Sequence, residues 1–259
     1  MSASDGRPSV PIPRWFYTRF PKTRRCLPDA YRAIFVAEYR RNRGIDRPRG
    51  TKEQLESWMH RQVAEAGAGR GPVLELGAGG LNHVQWEPAG EAYDVVEPLA
   101  ELYTGQSELQ RIRRVYTDIE EIPREQAYRR IISVATLEHV LDLPALVARS
   151  VLLLTPDGTF AAGIPSEGGL LWYLAWRFGT GSSFWWRTRL DYGVLMRHEH
   201  VNTANEVLEI TGTFFSNVIV RRFPAPWHHG SVYAAVEATG PRVDVATCFL
   251  QESTARHGG

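Results

Sequence analysis

The chain has 259 residues, 43% of them hydrophobic, and a formal net charge of +1. This length suits one α/β domain with additions, and the apolar content can fill a sizeable core. A net charge so near zero predicts no general affinity for polyanions, so nucleic acid is not an expected partner. No apolar run approaches the roughly 18 residues that span a bilayer, so no membrane-spanning helix is predicted.

Cysteine usage and the first residues indicate the compartment. Cys26 and Cys248 are the two cysteines, too few and too far apart for a disulfide framework or a cysteine-rich metal site. Residues 1–6 are polar and lack the apolar segment of a secretion signal. We therefore predict a cytoplasmic protein.

The first 50 residues form a basic arm. They carry twelve basic side chains against four acids, with Trp15, Phe16, Tyr17 and Phe20 interleaved among them. Such a segment could meet phosphates or lipid headgroups, which would make the protein a peripheral membrane binder. The alternative is a solvated arm that wraps the core and covers its acids.

Two helices precede the first strand. Apolar residues at helical spacing predict one amphipathic helix over residues 30–43 and a second over 51–67. Thr51, followed three residues later by Gln54, has the pattern of a capping box and marks the start of the second helix. The arm and these helices make up an N-terminal region, residues 1–70.

An apolar strand over residues 73–76 runs into the turn Gly77-Ala78-Gly79-Gly80. Glycines at a strand-to-helix turn let backbone N–H groups approach a ligand where a Cβ would clash. About twenty residues later a second apolar strand ends at Glu97, a carboxylate placed to accept hydrogen bonds from two ribose hydroxyls. The pairing predicts a nucleotide-type cofactor site.

Two positions separate this motif from the dinucleotide fingerprint. That fingerprint needs a third glycine at position 82, where this chain has Asn82. Glu75 lies two residues before the first glycine, so the motif reads Glu-x-Gly-x-Gly. A Rossmann-type NAD-dependent oxidoreductase is therefore the alternative and not the main prediction.

The later elements alternate strands and helices. The segment 81–87 is predicted to be a short helix, stopped by Pro88 and Gly90. Periodicity predicts strands over 115–119, 130–134 and 159–165, helices over 143–154 and 204–212, and a closing antiparallel pair at the sheet edge, 216–223 with 231–237. We expect a core over residues 71–240 and a C-terminal tail over 241–259, disordered from Gln251.

Glu75, the glycine turn and Glu97 together resemble the class I S-adenosylmethionine-dependent methyltransferases. The resemblance covers residues 71–238 and implies an α/β, Rossmann-like seven-stranded sheet with helices on both faces. It implies S-adenosylmethionine as cofactor, bound by Glu75, Gly77, Gly79, Glu97, Asp118, Ile119 and Val134. In that family the turn lies against the methionine and ribose, Glu97 would hold the ribose, and Glu75 would support the turn. Leu81 departs from the pattern, because many members have glycine there.

The third strand ends near Asp118. By resemblance, Asp118 would accept a hydrogen bond from the adenine amino group, and Ile119 would donate its backbone N–H and cover the ring. An aspartate that only caps the following loop is the alternative.

The residues after the fourth strand would face the transferred methyl group. They read Ala135-Thr136-Leu137-Glu138-His139 and lack the Asp/Asn-Pro-Pro-Tyr/Phe segment of amino methyltransferases that act on nucleic-acid bases. Leu-Glu-His resembles small-molecule O-methyltransferases of the ubiquinone type, in which a further upstream Glu helps hold a divalent metal. Ala135 occupies that place here. His198-x-His200 has no further ligand at metal-site spacing, so no metal is predicted.

Aromatic residues are dense within residues 166–200, which we expect to form an aromatic-rich lid insertion. The lid's aromatic residues are Trp172, Tyr173, Trp176, Phe178, Phe184, Trp185, Trp186 and Tyr192. Such density suits a substrate-binding lid or a surface resting at a lipid interface. An aromatic subdomain that packs on itself is the alternative.

His139 and His200 are the candidate catalytic bases, because one follows the fourth strand and the other leaves the lid. A capping or packing histidine is the alternative for each. Short motifs such as Val-Glu-Pro and Ile-Pro-Ser-Glu-Gly-Gly resemble methyltransferases of bacterial surface-polysaccharide gene clusters. The resemblance implies O-methylation of a sugar or other small polar hydroxyl, phosphate-bearing if the basic arm takes part. A non-catalytic S-adenosylmethionine-binding protein is a further alternative, and no oligomeric state is predicted.

Overall fold

The computed structural model describes residues 8–42, 51–67 and 71–257. A single sheet contains β1 (Val73–Leu76), β2 (Tyr93–Val96), β3 (Arg114–Tyr116), β4 (Tyr128–Val134), β5 (Leu154–Pro165), β6 (Phe215–Pro224) and β7 (Ser231–Pro241). The spatial order of its strands is β3-β2-β1-β4-β5-β7-β6. Every residue of β1 and β2 is buried, because a parallel strand in the middle of such a sheet is covered on both faces.

The first five strands are parallel, and β7 runs antiparallel between β5 and β6. Leu76 at the end of β1 pairs with Val96 of β2 on one side and with Ser133 of β4 on the other. The carboxyl ends of these three strands therefore meet at one edge, where the strand order reverses and a ligand crevice is expected. The predicted antiparallel closing pair is confirmed.

The described residues form ten helices: α1 (Trp15–Arg19), α2 (Asp29–Asn42), α3 (Thr51–Glu65), α4 (Ala100–Tyr103), α5 (Leu143–Leu153), α6 (Leu170–Phe178), α7 (Thr180–Thr188), α8 (Tyr192–Glu199), α9 (Ala204–Phe214) and α10 (Val243–His257). Helices α5, α9 and α10 pack on one face of the sheet with Leu74 and Leu76, and α3 packs on the other with Val73. The predicted seven-stranded sheet with helices on both faces is confirmed. No helix in the described ranges is long and apolar enough to cross a membrane.

The aromatic residues of the basic arm belong to the core. Phe16 is 1% exposed, and its ring centroid lies 5.9 Å from that of Phe214 and 6.1 Å from that of Phe249. Lys22 is ion-paired with Glu206 at 2.7 Å. For these residues the wrapping interpretation is right. The capping pattern predicted at Thr51 lies outside the described side chains.

The prediction of a helix over residues 81–87 is wrong. Only Val84–Trp86 form a single turn of 3₁₀-helix. Leu81 has a left-handed backbone, with φ of +61°, and Pro88 follows the turn closely. A left-handed residue at the start and a proline at the end leave too few residues for an α-helical turn to propagate.

The prediction of a disordered tail from Gln251 is also wrong. Residues 243–257 form α10, in which Val245, Ala246 and Phe249 are buried against the core. These apolar residues recur at helical spacing and anchor the helix, so the polar residues that follow continue it on the exposed side. The polar composition from Gln251 onward gave no sign of this helix, because the apolar residues that anchor it lie before Gln251.

Candidate active site

The glycine turn and the acid at the end of β2 are in direct contact. Gly77 and Gly79 have φ of +69° and +52°, and the Gly79 N–H donates to Glu97 Oε2 at 2.7 Å. Glu97 Oε1 accepts from the Leu99 N–H at 3.0 Å. A carboxylate has about four acceptor sites, so these two bonds leave room for two more, as a ribose diol requires.

Glu75 is hydrogen-bonded to the neighbouring strand. It is 2% exposed, and its Oε2 accepts a hydrogen bond of 2.8 Å from the Tyr93 hydroxyl at the start of β2. Burial raises the pKa of Glu75. The observed contact joins β1 to β2, and the support of the turn by Glu75 stays a prediction.

Leu81 and Ala135 both adopt left-handed backbone conformations, with φ of +61° and +52°. Leu81 is the position where the related family favours glycine, and the backbone keeps the conformation that glycine serves although leucine occupies it. Ala135 follows β4 directly. Left-handed non-glycine residues cost of order 1–3 kcal/mol each and cluster at active sites. Leu81 and Ala135 lie at the same edge of the sheet, so the backbone strain is concentrated at that edge.

Gly77 is needed for a reason that the motif does not reveal. A Cβ on Gly77 would lie 2.2 Å from Thr136 Cγ2 and 2.5 Å from Thr136 Oγ1. Thr136 Oγ1 in turn donates to the Gly77 carbonyl at 3.1 Å. The absence of a side chain therefore lets the β1 turn pack on the segment after β4.

We expect Gly77→Ala to lower the free energy of unfolding by about 2–5 kcal/mol, since it combines a strained φ with overpacking. Adding Thr136→Ala removes the two closest atoms and should recover part of that loss. Gly80→Ala is the control in the same turn, because its nearest new contact would be 3.7 Å away. Urea unfolding measures all three, and equal effects of Gly77→Ala and Gly80→Ala would contradict this account.

Asp118, Ile119 and Val134 lie at the ends of β3 and β4. Asp118 is exposed, and its Oδ1 accepts from the Glu120 N–H at 2.9 Å, which is the predicted loop-capping contact. Ile119 is 6% exposed within the core. Val134 is half-buried and pairs with Gly163. The adenine role of Asp118 and Ile119 stays a prediction.

The two candidate bases, His139 and His200, do converge. Their rings lie 4.8 Å apart between centroids and nearly perpendicular. Buried Asn202 holds the segments together, because its Nδ2 donates to the carbonyls of Leu137 at 2.8 Å and Val140 at 2.7 Å. The loop after β4 is thus fixed against the loop that carries His200.

Glu167 orients His200. Its Oε2 lies 2.7 Å from His200 Nδ1, just beyond the carboxyl end of β5. Burial raises the pKa of Glu167 to about 8. Above about pH 8 Glu167 is ionised and accepts from the Nδ1–H, which leaves the lone pair of His200 on Nε2 and suits that atom to accept a proton.

Glu138, His139 and His200 also form a candidate metal centre. Their ligand atoms all lie within 4.8 Å of one another. Ligand atoms of one tetrahedral zinc ion, with bonds of about 2.0–2.2 Å, lie about 3.3–3.6 Å apart, so these side chains would have to draw together. The fold thus brings Glu138 and His139, from a distant segment, beside His200, which spacing along the chain did not show. The expectation of no metal stays a prediction. His198 has no part in it, since its Nδ1 contacts the Arg25 carbonyl at 2.5 Å.

Sequence reasoning assigned no role of their own to three residues of this site, which are Thr136, Glu138 and Glu167. Glu167 had the clearest signal, because it follows the end of a parallel strand, as Glu97 does. Glu138 stands beside a candidate base. No local pattern marks Thr136, whose role depends on the approach of Gly77.

The lid consists of helices α6, α7 and α8, and Trp172 of α6 packs beside His200 with ring centroids 5.8 Å apart. Trp172, Phe184 and Tyr192 are buried in a cluster of their own, whereas Phe178 and Trp186 are 73% and 68% exposed. The lid therefore packs on itself in part and keeps an exposed aromatic surface. A cavity of about 470 Å³ lies beneath it and reaches Glu167 and His200.

No protein-family model matches the sequence, and no curated protein matches it. Among solved structures, the chain is similar to a methyltransferase from Thermotoga maritima described as a possible histamine N-methyltransferase, with TM-score 0.55 and 14% identity over 82% of this chain and 98% of that one. It is also similar to N-methyltransferase NodS from Bradyrhizobium japonicum in complex with S-adenosyl-L-homocysteine, with TM-score 0.54 and 14% identity over 83% and 100%. CurJ carbon methyltransferase gives TM-score 0.53 and 17% identity over 83% and 61%. This chain therefore has the class I, S-adenosylmethionine-dependent methyltransferase fold.

Proposed function

We propose that this protein is an S-adenosylmethionine-dependent methyltransferase that acts on a hydroxyl group of a small polar acceptor such as a sugar. The observation that carries the proposal is the pair of Glu167 and His200, 2.7 Å apart, beside His139 at the carboxyl edge of the sheet. The glycine turn and Glu97 lie at the same edge. A cofactor crevice and a base would thus be neighbours.

The chain's own residues suit the cofactor. Glu97 keeps two acceptor sites for a ribose diol. The N–H groups of Gly77 and Gly79 already donate to the Val96 carbonyl and to Glu97, so these glycines would serve the ligand by their lack of side chains and not as donors. When bound, S-adenosylmethionine supplies an electrophilic methyl group on a sulfonium. We assign its ribose to Glu97, its methionine part to Gly77 and Gly79, and its adenine to Asp118 and Ile119.

Hydroxyl acceptors favour a base, and His200 is the better of the two candidates. A hydroxyl is a poor nucleophile until its proton leaves, and His200 Nε2 can take that proton while Glu167 holds Nδ1. His139 Nδ1 is directed to the Glu199 carbonyl at 3.0 Å. The relatives named above act on nitrogen or carbon by their own descriptions, so the oxygen assignment rests on this base and not on them.

A metal-assisted variant of the same reaction has its own support in Glu138, His139 and His200. A divalent cation held there would polarise the acceptor hydroxyl and lower the pKa of that hydroxyl. The hydroxyl could then lose its proton to water, and no histidine base would be needed. The oxidoreductase alternative is disfavoured, because β7 runs antiparallel where the dinucleotide fold has a parallel strand. Isothermal titration with S-adenosylmethionine and with NAD tests the two cofactors directly.

We expect Glu97→Ala to weaken S-adenosylmethionine binding by about tenfold to a hundredfold, since losing the ribose's hydrogen bonds to this charged group should cost about 1.5–3 kcal/mol in total. The control is Glu125→Ala, which removes a carboxylate from an exposed loop. Thermal unfolding must accompany the titration, because Glu97 also accepts from Gly79. A folded Glu97→Ala variant that binds like the wild type, or a wild type that binds NAD instead, would refute the cofactor assignment.

A further inference from the structure

Two cavities meet at His200 and Arg197. The first, of about 470 Å³, lies beneath the lid, and the second, of about 440 Å³, lies between the basic arm and the end of α8. Both residues line both cavities, and they are the only described residues that do. A ligand that reached from one cavity to the other would pass the candidate base.

The second cavity is cationic. Arg19, Lys22, Arg25 and Arg197 line it, and its described lining includes neither aspartate nor glutamate. Lys22 is neutralised by Glu206 at 2.7 Å. The three arginines have no ion pair within the part of the chain that the structure describes. Guanidinium groups that line one cavity without a carboxylate favour an anion, which they can bind in a bidentate fashion.

The first cavity is aromatic. Trp172 and Met196 are buried in its wall, and Trp176 is half-buried there. Leu170 and Tyr173, 58% and 47% exposed, stand at its edge. With Leu174 and Phe178 they form an exposed apolar stripe along α6, at spacings of three to four residues. The stripe extends the apolar surface beyond the cavity, which suits a chain longer than the cavity itself.

We propose that the acceptor is an amphiphilic anion. Its apolar part lies in the aromatic cavity, its phosphate or carboxylate is held by Arg25 and Arg197, and the hydroxyl between them lies at His200. This inference rests on the proposed function and names the substrate class of the same site. Arg24 is not part of the anion site, because its guanidinium donates to the His139 carbonyl at 3.4 Å.

Binding of octyl phosphate, measured by isothermal titration on the full chain without cofactor, tests the proposal. Octanol and inorganic phosphate are the two half-ligands, and each should bind at least about tenfold more weakly than octyl phosphate, since each lacks one cavity's contacts. Arg197→Ala and Arg25→Ala should each weaken octyl phosphate about tenfold. Leu170→Ala with Tyr173→Ala should weaken it by a similar factor and leave inorganic phosphate unchanged.

Two control variants separate this site from general adsorption. Arg124→Ala removes an exposed arginine far from both cavities, and Trp186→Ala removes an exposed lid aromatic that lines neither. Both should bind octyl phosphate like the wild type. Phosphatidylcholine vesicles with and without phosphatidic acid identify the source of the ligand. Binding to phosphatidic acid that depends on Arg197 indicates a lipid, and binding to soluble octyl phosphate alone indicates a soluble amphiphile.

If octyl phosphate binds no more tightly than octanol, the anion site is overturned. If it binds no more tightly than inorganic phosphate, the apolar site is overturned. Vesicle binding that survives Arg197→Ala but is lost in Trp186→Ala would also overturn the proposal. Failure here with intact, Glu97-dependent binding of S-adenosylmethionine rejects the substrate class alone. Loss of S-adenosylmethionine binding by the wild type rejects the proposed function.

Discussion

Replacing His200 with alanine is expected to lower kcat for methyl transfer by about 10²–10⁴-fold and to leave S-adenosylmethionine affinity unchanged. The variant removes the group that would take the acceptor proton, whereas Glu97, to which we assign the ribose, follows β2. Transfer of labelled methyl from S-adenosylmethionine to an acceptor extract measures the rate. Isothermal titration measures the affinity. A change in kcat of less than tenfold would remove His200 from the reaction.

Variants of Glu167 test whether it works through His200. Glu167→Ala loses the contact to Nδ1, so the imidazole can rotate and change tautomer, and kcat should fall. Glu167→Gln keeps an oxygen that can accept from the Nδ1–H, so much of the activity should return. If Glu167 has a purely structural role, both variants should lose activity because they are less stable, and thermal unfolding would show that loss of stability.

Chelation separates the base from the metal ligand. With His200 as a base, EDTA should not affect the rate, and His139→Ala should have a smaller effect than His200→Ala. With Glu138, His139 and His200 as ligands, EDTA should abolish the rate, and a divalent cation should restore it. Each of the three alanine variants should then lose activity to a similar extent.

Glu87→Ala is expected to lower the free energy of unfolding by about 3–5 kcal/mol, because it leaves the guanidinium of Arg130 buried without its carboxylate. The pair is 2.6 Å apart, and both side chains are at most 3% exposed. Burial alone would raise the pKa of Glu87, but hydrogen bonds from His83 and Arg130 lower it overall. Arg130 also donates to the Val63 carbonyl at 2.7 Å, so the pair ties β4 to α3.

The neighbouring residue supplies a matched control. Arg129 forms an ion pair with Asp157, whose side chain is 70% exposed. Asp157→Ala should therefore cost no more than about 1 kcal/mol. The double change Glu87→Leu with Arg130→Met should be less destabilising than Glu87→Ala alone, since no buried charge remains unpaired. Urea unfolding measures these variants, and equal losses for Glu87→Ala and Asp157→Ala would contradict the argument.

The sequence by itself determined the local features of this protein. The spacing of apolar residues and the turn residues predicted the β1 turn, the acid ending β2 and the start of α9. In the structure, Thr203 and Glu206 form a capping box at that start. These are contacts between residues close in sequence, or between the ends of adjacent parallel strands, whose relative position the α/β alternation already dictates. The fold class followed from the resemblance of these motifs to the class I methyltransferases.

Only the tertiary structure decided how the site is assembled. Glu167 and His200 are 33 residues apart and Gly77 and Thr136 are 59 apart, and no spacing rule relates them. The arginines of the anion cavity come from the arm and from α8, whose approach depends on burial of Phe16 and of the lid aromatics. Packing of non-local apolar surfaces brought these polar groups together. Because such packing depends on the whole core, a pattern read along the chain could name the histidines but not their partners.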